Sequence, residues 1–297
     1  MLKGTLGIIF ASLAAISWGT IGLIQGFVQS SIDATWIVVF RLLFASIFFI
    51  VCSVGTHEYK EFSHRSHGAI IPLILLAALC IAINNICFIY GVRTTGIAMG
   101  SASTIGSTPI WAGLLSWIVF KRSPSLRWWR GTVLACVGVV VMIVSQASSW
   151  HISTVGLISC LIAGLCYSCF TIISGELVKT LSPLSCTTLI FSLALLIALP
   201  ISLGLSGIPK TVQTLDWLVF LYLGLIPTGV AFLLYTKALQ FITANTAVAM
   251  TLLDPVTSFC LALAVAKEPL VYTSGIGLIF ILIGLRLVTS SDRALAQ

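Results

Sequence analysis

Asp254 is the residue whose type and position most clearly suggest chemistry within this chain. It lies near the centre of a long apolar stretch, three residues after Thr251 and directly before Pro255. A charged side chain at the centre of a bilayer costs about 2.5–3.5 kcal/mol on insertion scales, so it should face a cavity or a partner. Proline also removes one helical hydrogen bond and frees a carbonyl one turn earlier. Two interpretations stay open: a carboxylate that binds substrate or carries a proton, and a structural aspartate paired with a backbone amide or hydroxyl.

Three other polar side chains also fall within apolar stretches. Asn84 and Asn85 could donate to and accept from a zwitterionic or polar metabolite, although such amides often join neighbouring membrane helices. Arg41 could neutralise an anionic substrate or pair with a carboxylate. Alternatively, it extends toward the membrane surface or caps a neighbouring helix.

Aromatic and polar residues recur at matching places in the two halves of the chain. When the segments that begin at residues 7 and 156 are aligned, Trp18 falls on Tyr167 and Gln25 falls on Ser174. Thr171 follows Tyr167 by one helical turn, so the two share a helix face. Aromatic rings with polar neighbours suit an amphipathic ligand. The residues expected to line its path here are Trp18, Gln25, Tyr167 and Thr171.

Membrane-spanning helices must position these residues. Only 8% of the 297 residues are charged and 59% are hydrophobic, whereas a soluble domain carries about a quarter charged residues. A span needs about 20 mainly apolar residues, and roughly ten such stretches can be drawn, five in each half. They cover roughly 6–27, 34–54, 69–90, 97–120, 130–147, 153–174, 184–205, 216–236, 243–266 and 272–290. The sequence predicts an all-α integral membrane protein, because a lipid-facing sheet edge would leave peptide groups unpaired.

The two halves look like duplicated copies of each other. A second ordered series of matches pairs Pro109 with Pro255, Gly131 with Gly277, and Gly138 with Gly284. Tyr90 and Tyr235, near the ends of the third and eighth spans, match within one residue and join the candidates for the path. An odd number of spans per half turns the second half upside down. We therefore predict two inverted five-helix repeats, over residues 1–148 and 149–297.

The basic residues are distributed unevenly about the spans. The 15 Lys and Arg residues outnumber the 8 Asp and Glu residues, which gives a net charge of +7. Most of the basic residues fall in loops and span ends that would share one side of a membrane. This positive-inside pattern predicts a multi-pass protein of the inner (plasma) membrane with both termini in the cytoplasm. We expect no nucleic-acid binding, because no basic patch lies outside the membrane-flanking loops.

Motifs for covalent chemistry are absent from the sequence. It contains no GxxxxGK[ST], GxSxG or HExxH pattern, so ATP is not expected as the direct energy source. The loop histidines His57, His64 and His67 fit no standard zinc spacing. Cys166 and Cys169 form a CxxC in the middle of a span, which favours packing over redox chemistry or metal binding. We predict a protein that is not an enzyme and has no cofactor and no metal site.

A series of short motifs follows the chain in a fixed order. It consists of Ser17-Trp18-Gly19, Arg41, Pro109, Tyr235–Leu239, Asp254-Pro255 and Lys267-Glu268-Pro269. In order and spacing the series resembles the EamA type of the drug/metabolite transporter superfamily. The resemblance implies ten helices, both termini inside, and a central cavity lined by spans one, three, four, six, eight and nine. The chain departs from the family pattern at Lys121-Arg122, where an acidic residue is usual, and the resemblance implies no particular substrate.

These features predict a secondary active transporter that exports small polar or amphipathic metabolites, such as amino acids, by alternating access. Asp254 is the predicted coupling residue, as a carboxylate linked to a proton or to the substrate, and the sequence leaves the coupling ion open. The expected partners are a small-molecule substrate and the lipid bilayer, and a homodimer is left open. One alternative is an uptake carrier or exchanger for a nucleotide-like or cofactor metabolite, which would need more positive charge than Arg41 supplies. The other is a membrane sensor or assembly protein that transports nothing.

Overall fold

A computed structural model describes nine segments of the chain. They are residues 2–29, 32–57, 68, 70–95, 97–121, 123–144, 153–209, 211–265 and 272–295. The Lys267-Glu268-Pro269 motif and the loop residues His64 and His67 lie outside this described part. Within it the chain is helical and contains no β-strand, which confirms the all-α prediction.

The helices of the described segments group into ten spans. The first half contains Leu2–Gly19 with Ile21–Gln25, then Ala34–Gly55, Ile70–Thr95, Ile97–Phe120 and Leu126–Val144. The second half contains Thr154–Leu177, Pro183–Ser206, Thr214–Leu223 with Gly224–Val230 and Ala231–Ala238, Ala244–Met250 with Leu253–Ala264, and Tyr272–Leu295. Among the described residues, nine spans are long and apolar enough to cross a membrane. The helix Leu126–Val144 completes the series of ten and begins four residues earlier than the predicted 130.

Three of the spans are interrupted where the sequence weakens an α-helix. The first span is interrupted at Thr20, between its two helices. The eighth contains a π-helical segment, Gly224–Val230, around Pro227. The ninth breaks at Thr251 and Leu252, where Pro255 cannot donate to the carbonyl of Thr251. That carbonyl instead accepts the backbone N–H of Asp254 at 3.0 Å, so the helix is interrupted where the proline predicted it.

The fifth and tenth spans pack closely against each other at four glycines. They are the glycines that match between the two halves of the sequence. A Cβ on Gly138 would lie 2.6 Å from the carbonyl oxygen of Gly277, and one on Gly131 would lie 2.7 Å from that of Gly284. Gly131 corresponds to Gly277 and Gly138 to Gly284, so exchanging the two copies turns the Gly138–Gly277 contact into the Gly284–Gly131 contact. Such reciprocal contacts are those a two-fold axis generates. They are the local signature of the inverted repeat.

The remaining contacts between the halves obey the same relation. Span three packs on span six, as span eight packs on span one. Span four packs on span six, as span nine packs on span one. Span two packs on span seven, its own counterpart. The first and sixth spans therefore lie at the interface between the repeats, which brings Trp18 and Tyr167 together.

Candidate functional site

Trp18 is the centre of an aromatic cluster between the two repeats. It lies one residue before the end of the helix Leu2–Gly19 and is 7% exposed. Its ring centroid lies 4.9 Å from that of Phe232, 5.2 Å from that of Tyr235 and 6.1 Å from that of Tyr167. Rings at these separations in tilted or edge-to-face geometry attract one another by about 0.5–1.5 kcal/mol per pair beyond area burial. We call Trp18, Tyr167, Phe232 and Tyr235 the aromatic cluster.

The indole N–H of Trp18 connects this cluster to the π-helical segment. Nε1 donates to the carbonyl oxygen of Pro227 at 2.7 Å. In a regular α-helix each carbonyl oxygen accepts a backbone N–H from the next turn of the same helix. A π-helical segment around a proline changes this pairing. The bond joins the first span to the eighth, and so it joins one repeat to the other.

The polar edge of the cluster is formed by hydroxyl groups. The hydroxyls of Thr171 and Tyr235 lie 3.2 Å apart, and Thr171 also donates to the carbonyl of Tyr167 at 3.1 Å. The buried hydroxyl of Tyr167 lies near that of Tyr235 but meets no partner in hydrogen-bond geometry within the described structure. A buried hydroxyl without a partner costs about 1–3 kcal/mol. Tyr167 is therefore prepared to donate to a ligand.

Asp254 supplies the negative charge beside the cluster. It lies in the first turn of the helix Leu253–Ala264, within electrostatic range of Tyr167. The Asp254 side chain is partly exposed. Ser258 Oγ lies 3.4 Å from Asp254 Oδ1 and 3.0 Å from the carbonyl oxygen of Gly19. No ion pair to Asp254 is found among the described side chains.

Gly19 permits the close approach of the first and ninth spans at this point. A Cβ there would lie 2.5 Å from Cβ of Thr257 and 2.8 Å from the carbonyl oxygen of Asp254. Any larger residue would push the interrupted ninth span away from Trp18. The Trp18-Gly19 pair thus places an aromatic ring and a close backbone contact next to the carboxylate.

Arg41 is committed to the eighth span rather than to a carboxylate. Its Nε donates to Thr228 Oγ1 at 3.2 Å, and that hydroxyl donates to the carbonyl of Leu223 at 2.7 Å. Pro227 cannot donate to this carbonyl, so Thr228 and Arg41 compensate for the missing bond. Trp18 of the first span and Arg41 of the second span thus both donate hydrogen bonds to the same π-helical segment.

The two asparagines of the third span bind backbone carbonyls. Asn84 Nδ2 donates to the carbonyl of Ala163 in the sixth span at 2.9 Å, and Asn85 Nδ2 donates to that of Ile81 at 2.8 Å. The Asn84 bond joins helices, which was the alternative interpretation of this residue. Both side chains are partly exposed, so their amide oxygens stay predicted contacts for a ligand.

Three other candidates lie outside the aromatic cluster. Thr251 is buried and donates to its own helix at Val248, 2.7 Å away. Tyr90 is 49% exposed near the end of the third span. Gln25 ends the short helix Ile21–Gln25 and is partly exposed. The structure therefore brings together Trp18, Tyr167, Thr171 and Tyr235, with Asp254 beside them.

Sequence reasoning missed Pro227, Thr228 and Phe232. Pro227 lies between Gly224 and Gly229 in an otherwise apolar stretch, and this combination was the available signal for an interrupted helix. Nothing in the sequence marked Phe232 as a site residue, because phenylalanine is ordinary in a membrane span. Among the described residues, no group of three or more His, Cys, Asp or Glu side chains is placed to hold a metal ion.

The comparisons with known proteins agree with a helical fold built from two repeats. The model of the EamA-like transporter family matches the chain twice, over residues 5–144 and 154–290. YwfM of Bacillus subtilis (strain 168), an uncharacterized transporter, is 32% identical over 296 residues, which cover 98% of this chain and 96% of YwfM. YetK of the same organism, also an uncharacterized transporter, is 26% identical over 233 residues, or 76% of this chain and 70% of YetK.

A solved crystal structure shares the architecture. It superposes with a TM-score of 0.81 at 14% sequence identity, covering 98% of this chain and 99% of that one. Identity this low supports the fold alone. The two family matches and the full-length relative go further: the chain is a multi-pass membrane transporter that belongs to the EamA-like transporter family.

Proposed function

We propose that this protein is a secondary active transporter that exports small polar or amphipathic metabolites bearing an ammonium group, such as amino acids. It would reside in the inner membrane with both termini in the cytoplasm. The observation that carries the proposal is a single carboxylate, Asp254, beside the aromatic cluster at the interface between the inverted repeats. Inverted-repeat transporters typically place their substrates at such an interface near the bilayer midplane.

The chemistry of the cluster favours an ammonium group with an apolar body. Asp254 offers charge-assisted acceptors, and the faces of Trp18 and Tyr167 attract a cation by about 0.5–2 kcal/mol. The unpartnered hydroxyl of Tyr167 could donate to a carboxylate or carbonyl of the same ligand. An amino acid presents all three features.

A nucleotide-like or cofactor anion fits this arrangement less well. Its phosphates would meet Asp254, and like charges in a low-dielectric site repel strongly. Arg41 is the basic residue within the described part of the second span, and it donates to Thr228 on the π-helical segment. The anion carrier therefore remains the weaker alternative.

Proton coupling follows from competition for one carboxylate. A proton on Asp254 removes the charge that attracts the ammonium group, so proton and substrate would bind the same side chain in turn. Binding a proton from the outer side would then release the substrate there. Exchange of one for the other gives export driven by proton entry.

Alternating access requires the two repeats to separate at the cluster. Trp18 belongs to the first repeat, whereas Tyr167, Tyr235 and Pro227 belong to the second. Rocking of the repeats about their two-fold axis would open these contacts on one side and then on the other. The interruptions in spans one, eight and nine give the helices points at which to bend.

The test compares metabolites inside cells and in the medium. Cells would express wild type, Asp254→Asn, or Glu176→Gln at matched membrane levels. Glu176 is an exposed carboxylate at the end of the sixth span, so its amide is a matched control. Loss of a charge-assisted contact worth about 1.5–3 kcal/mol should reduce export of one ammonium-bearing class by about tenfold or more in Asp254→Asn alone.

The outcomes separate transport from the role of Asp254. Equal export by wild type and Asp254→Asn, with the same pH dependence, would make Asp254 structural. No shift of any metabolite with wild type would favour the sensor or assembly protein instead.

A further inference from the structure

A concavity lies where the fifth and tenth spans cross, and neither Asp254 nor any residue of the aromatic cluster lines it. It has a volume of about 480 Å³. Its lining comprises Arg127, Ile283, Arg286, Leu287, Thr289 and Ser290. The glycine crossing at Gly131 and Gly284 brings the start of the fifth span against the later turns of the tenth. We call this concavity the seam pocket.

The seam pocket concentrates positive charge. Arg127 and Arg286 are both exposed, and neither forms an ion pair among the described side chains. Among the described side chains, its lining contains no acidic residue. The hydroxyls of Thr289 and Ser290 donate to carbonyls of their own helix, so they do not compete for the guanidinium groups. Two guanidinium groups in one concavity constitute a site for an anion.

The apolar surroundings restrict what that anion can be. Exposed branched side chains run along both spans below the pocket: Val133, Val137 and Val140 on the fifth, and Ile276, Ile279 and Ile283 on the tenth. A second groove of about 440 Å³ adjoins the fifth span and is lined by Trp129, Arg130, Val133, Leu134 and Val137. A ligand with a charged head and long apolar chains would match both regions at once.

We propose that the seam pocket binds the phosphate headgroup of an anionic phospholipid, whose acyl chains lie along the fifth and tenth spans. Arginine binds phosphate oxygens through a planar, two-pronged set of donors, which lysine lacks. Basic pockets between membrane helices at the surface of a leaflet are suited to anionic headgroups. The bound lipid would connect the last spans of the two repeats, independently of any substrate at Asp254.

Native mass spectrometry of purified protein tests the proposal. The probes are phosphatidylglycerol and phosphatidylcholine, added at equal concentration in a neutral detergent. The test variant is Arg127→Gln with Arg286→Gln. The control is Lys3→Gln with Lys179→Gln, which removes the same charge from two exposed lysines elsewhere. Wild type and control should bind phosphatidylglycerol in preference to phosphatidylcholine, and the arginine variant should bind it about tenfold or more weakly.

A second variant keeps the test decisive if the glutamine variant does not fold. Arg127→Lys with Arg286→Lys retains both charges and lacks the two-pronged donors, so its binding should lie between those of wild type and the glutamine variant. Equal binding by wild type and both arginine variants would overturn the proposal. Displacement of phosphatidylglycerol by millimolar inorganic phosphate alone would also overturn it, because the pocket would then serve a free anion rather than a lipid.

Discussion

Trp18 shows how one N–H group can connect two repeats. Its indole donates to Pro227 while its ring contacts Tyr167 and Tyr235. Ring contacts alone would permit any large aromatic residue at this position. The hydrogen bond requires tryptophan, because phenylalanine has no donor and tyrosine places its hydroxyl elsewhere.

Trp18→Phe should therefore impair transport while leaving the fold intact. It retains an aromatic ring but leaves the carbonyl of Pro227 without its donor, at a cost of about 1–3 kcal/mol. Trp36→Phe is the matched control, because Trp36 Nε1 donates to the carbonyl of Gly207 at 2.7 Å, away from the cluster. Thermal unfolding in detergent should show similar losses of stability in both variants. Only Trp18→Phe should change the transport rate, and equal changes in both would refute a role for this bond in transport.

For single residues, the sequence predicts candidate side chains better than it predicts their hydrogen-bond partners. The repeat pattern predicts that Trp18, Tyr167 and Thr171 line one path. In the structure the rings of Trp18 and Tyr167 lie 6.1 Å apart, and Thr171 donates to the carbonyl of Tyr167. The partner of Asn84 could not be predicted, because the carbonyl of Ala163 is 79 residues away. Which carbonyl a side chain meets depends on how helices pack, and no spacing rule encodes that.

Among the elements, the second and third spans are joined by an ion pair at their ends. Arg93 Nη1 lies 2.8 Å from Asp33 Oδ2, and Asp33 Oδ1 also accepts the backbone N–H of Thr35 as the cap of the second span. Partial burial acts to raise the pKa of Asp33. The bonds from the Thr35 amide, from Arg93 and from the Thr35 hydroxyl outweigh it and lower the pKa from 3.8 to about 2.

The depressed pKa of Asp33 predicts how acid affects stability. A carboxylate whose folded pKa lies below its unfolded value stabilises the protein above about pH 4, and this contribution is lost as the pH falls toward 2. Because the pair is partly exposed, it should contribute at most about 1 kcal/mol. Asp33→Asn keeps a capping side chain and loses the ion pair. Thermal unfolding should show a deficit for Asp33→Asn at pH 7 that shrinks toward pH 2, and a constant deficit would contradict the assignment.

The interrupted spans illustrate how far sequence defines an element. Pro255 predicted the break in the ninth span, which the structure places at Thr251 and Leu252. Pro227 gave no comparable prediction, because a proline in an apolar stretch indicates a bend without specifying a π-helix. Within Gly224–Val230 the Thr228 hydroxyl donates to the carbonyl of Leu223 in place of the lost bond, and Arg41 of the second span donates to that hydroxyl.

For the whole molecule, the crossing of the fifth and tenth spans is the clearest expression of the duplication. The sequence alone pairs Gly131 with Gly277 and Gly138 with Gly284. They meet in reciprocal pairs because the two copies are related by a two-fold axis. The order of spans and the inverted repeat were thus predictable, whereas the depth and contacts of each side chain were not.

Gly138→Ala and Gly284→Ala, which correspond under the two-fold axis, should destabilise the protein to a similar degree. In each case the new Cβ would lie within about 2.6 Å of backbone atoms in the other span, and overpacking of this kind costs about 1–3 kcal/mol. Gly106→Ala is the control, because a Cβ there meets nothing within 4 Å. It should be neutral or stabilising, since alanine favours a helix. Thermal unfolding in detergent measures all three, and a large difference between the first two variants would contradict the symmetric crossing.

The measurement that tests the central claim most directly uses purified protein in liposomes with a trapped pH-sensitive dye. A mixture of labelled amino acids is supplied on one side under an imposed pH gradient, and substrate and proton fluxes are recorded for wild type, Asp254→Asn and Glu176→Gln. The account predicts opposite fluxes of substrate and proton for wild type and Glu176→Gln. It predicts that Asp254→Asn loses the pH-driven flux by about tenfold or more. Substrate movement by Asp254→Asn at the wild-type rate, with the wild-type pH dependence, would contradict it.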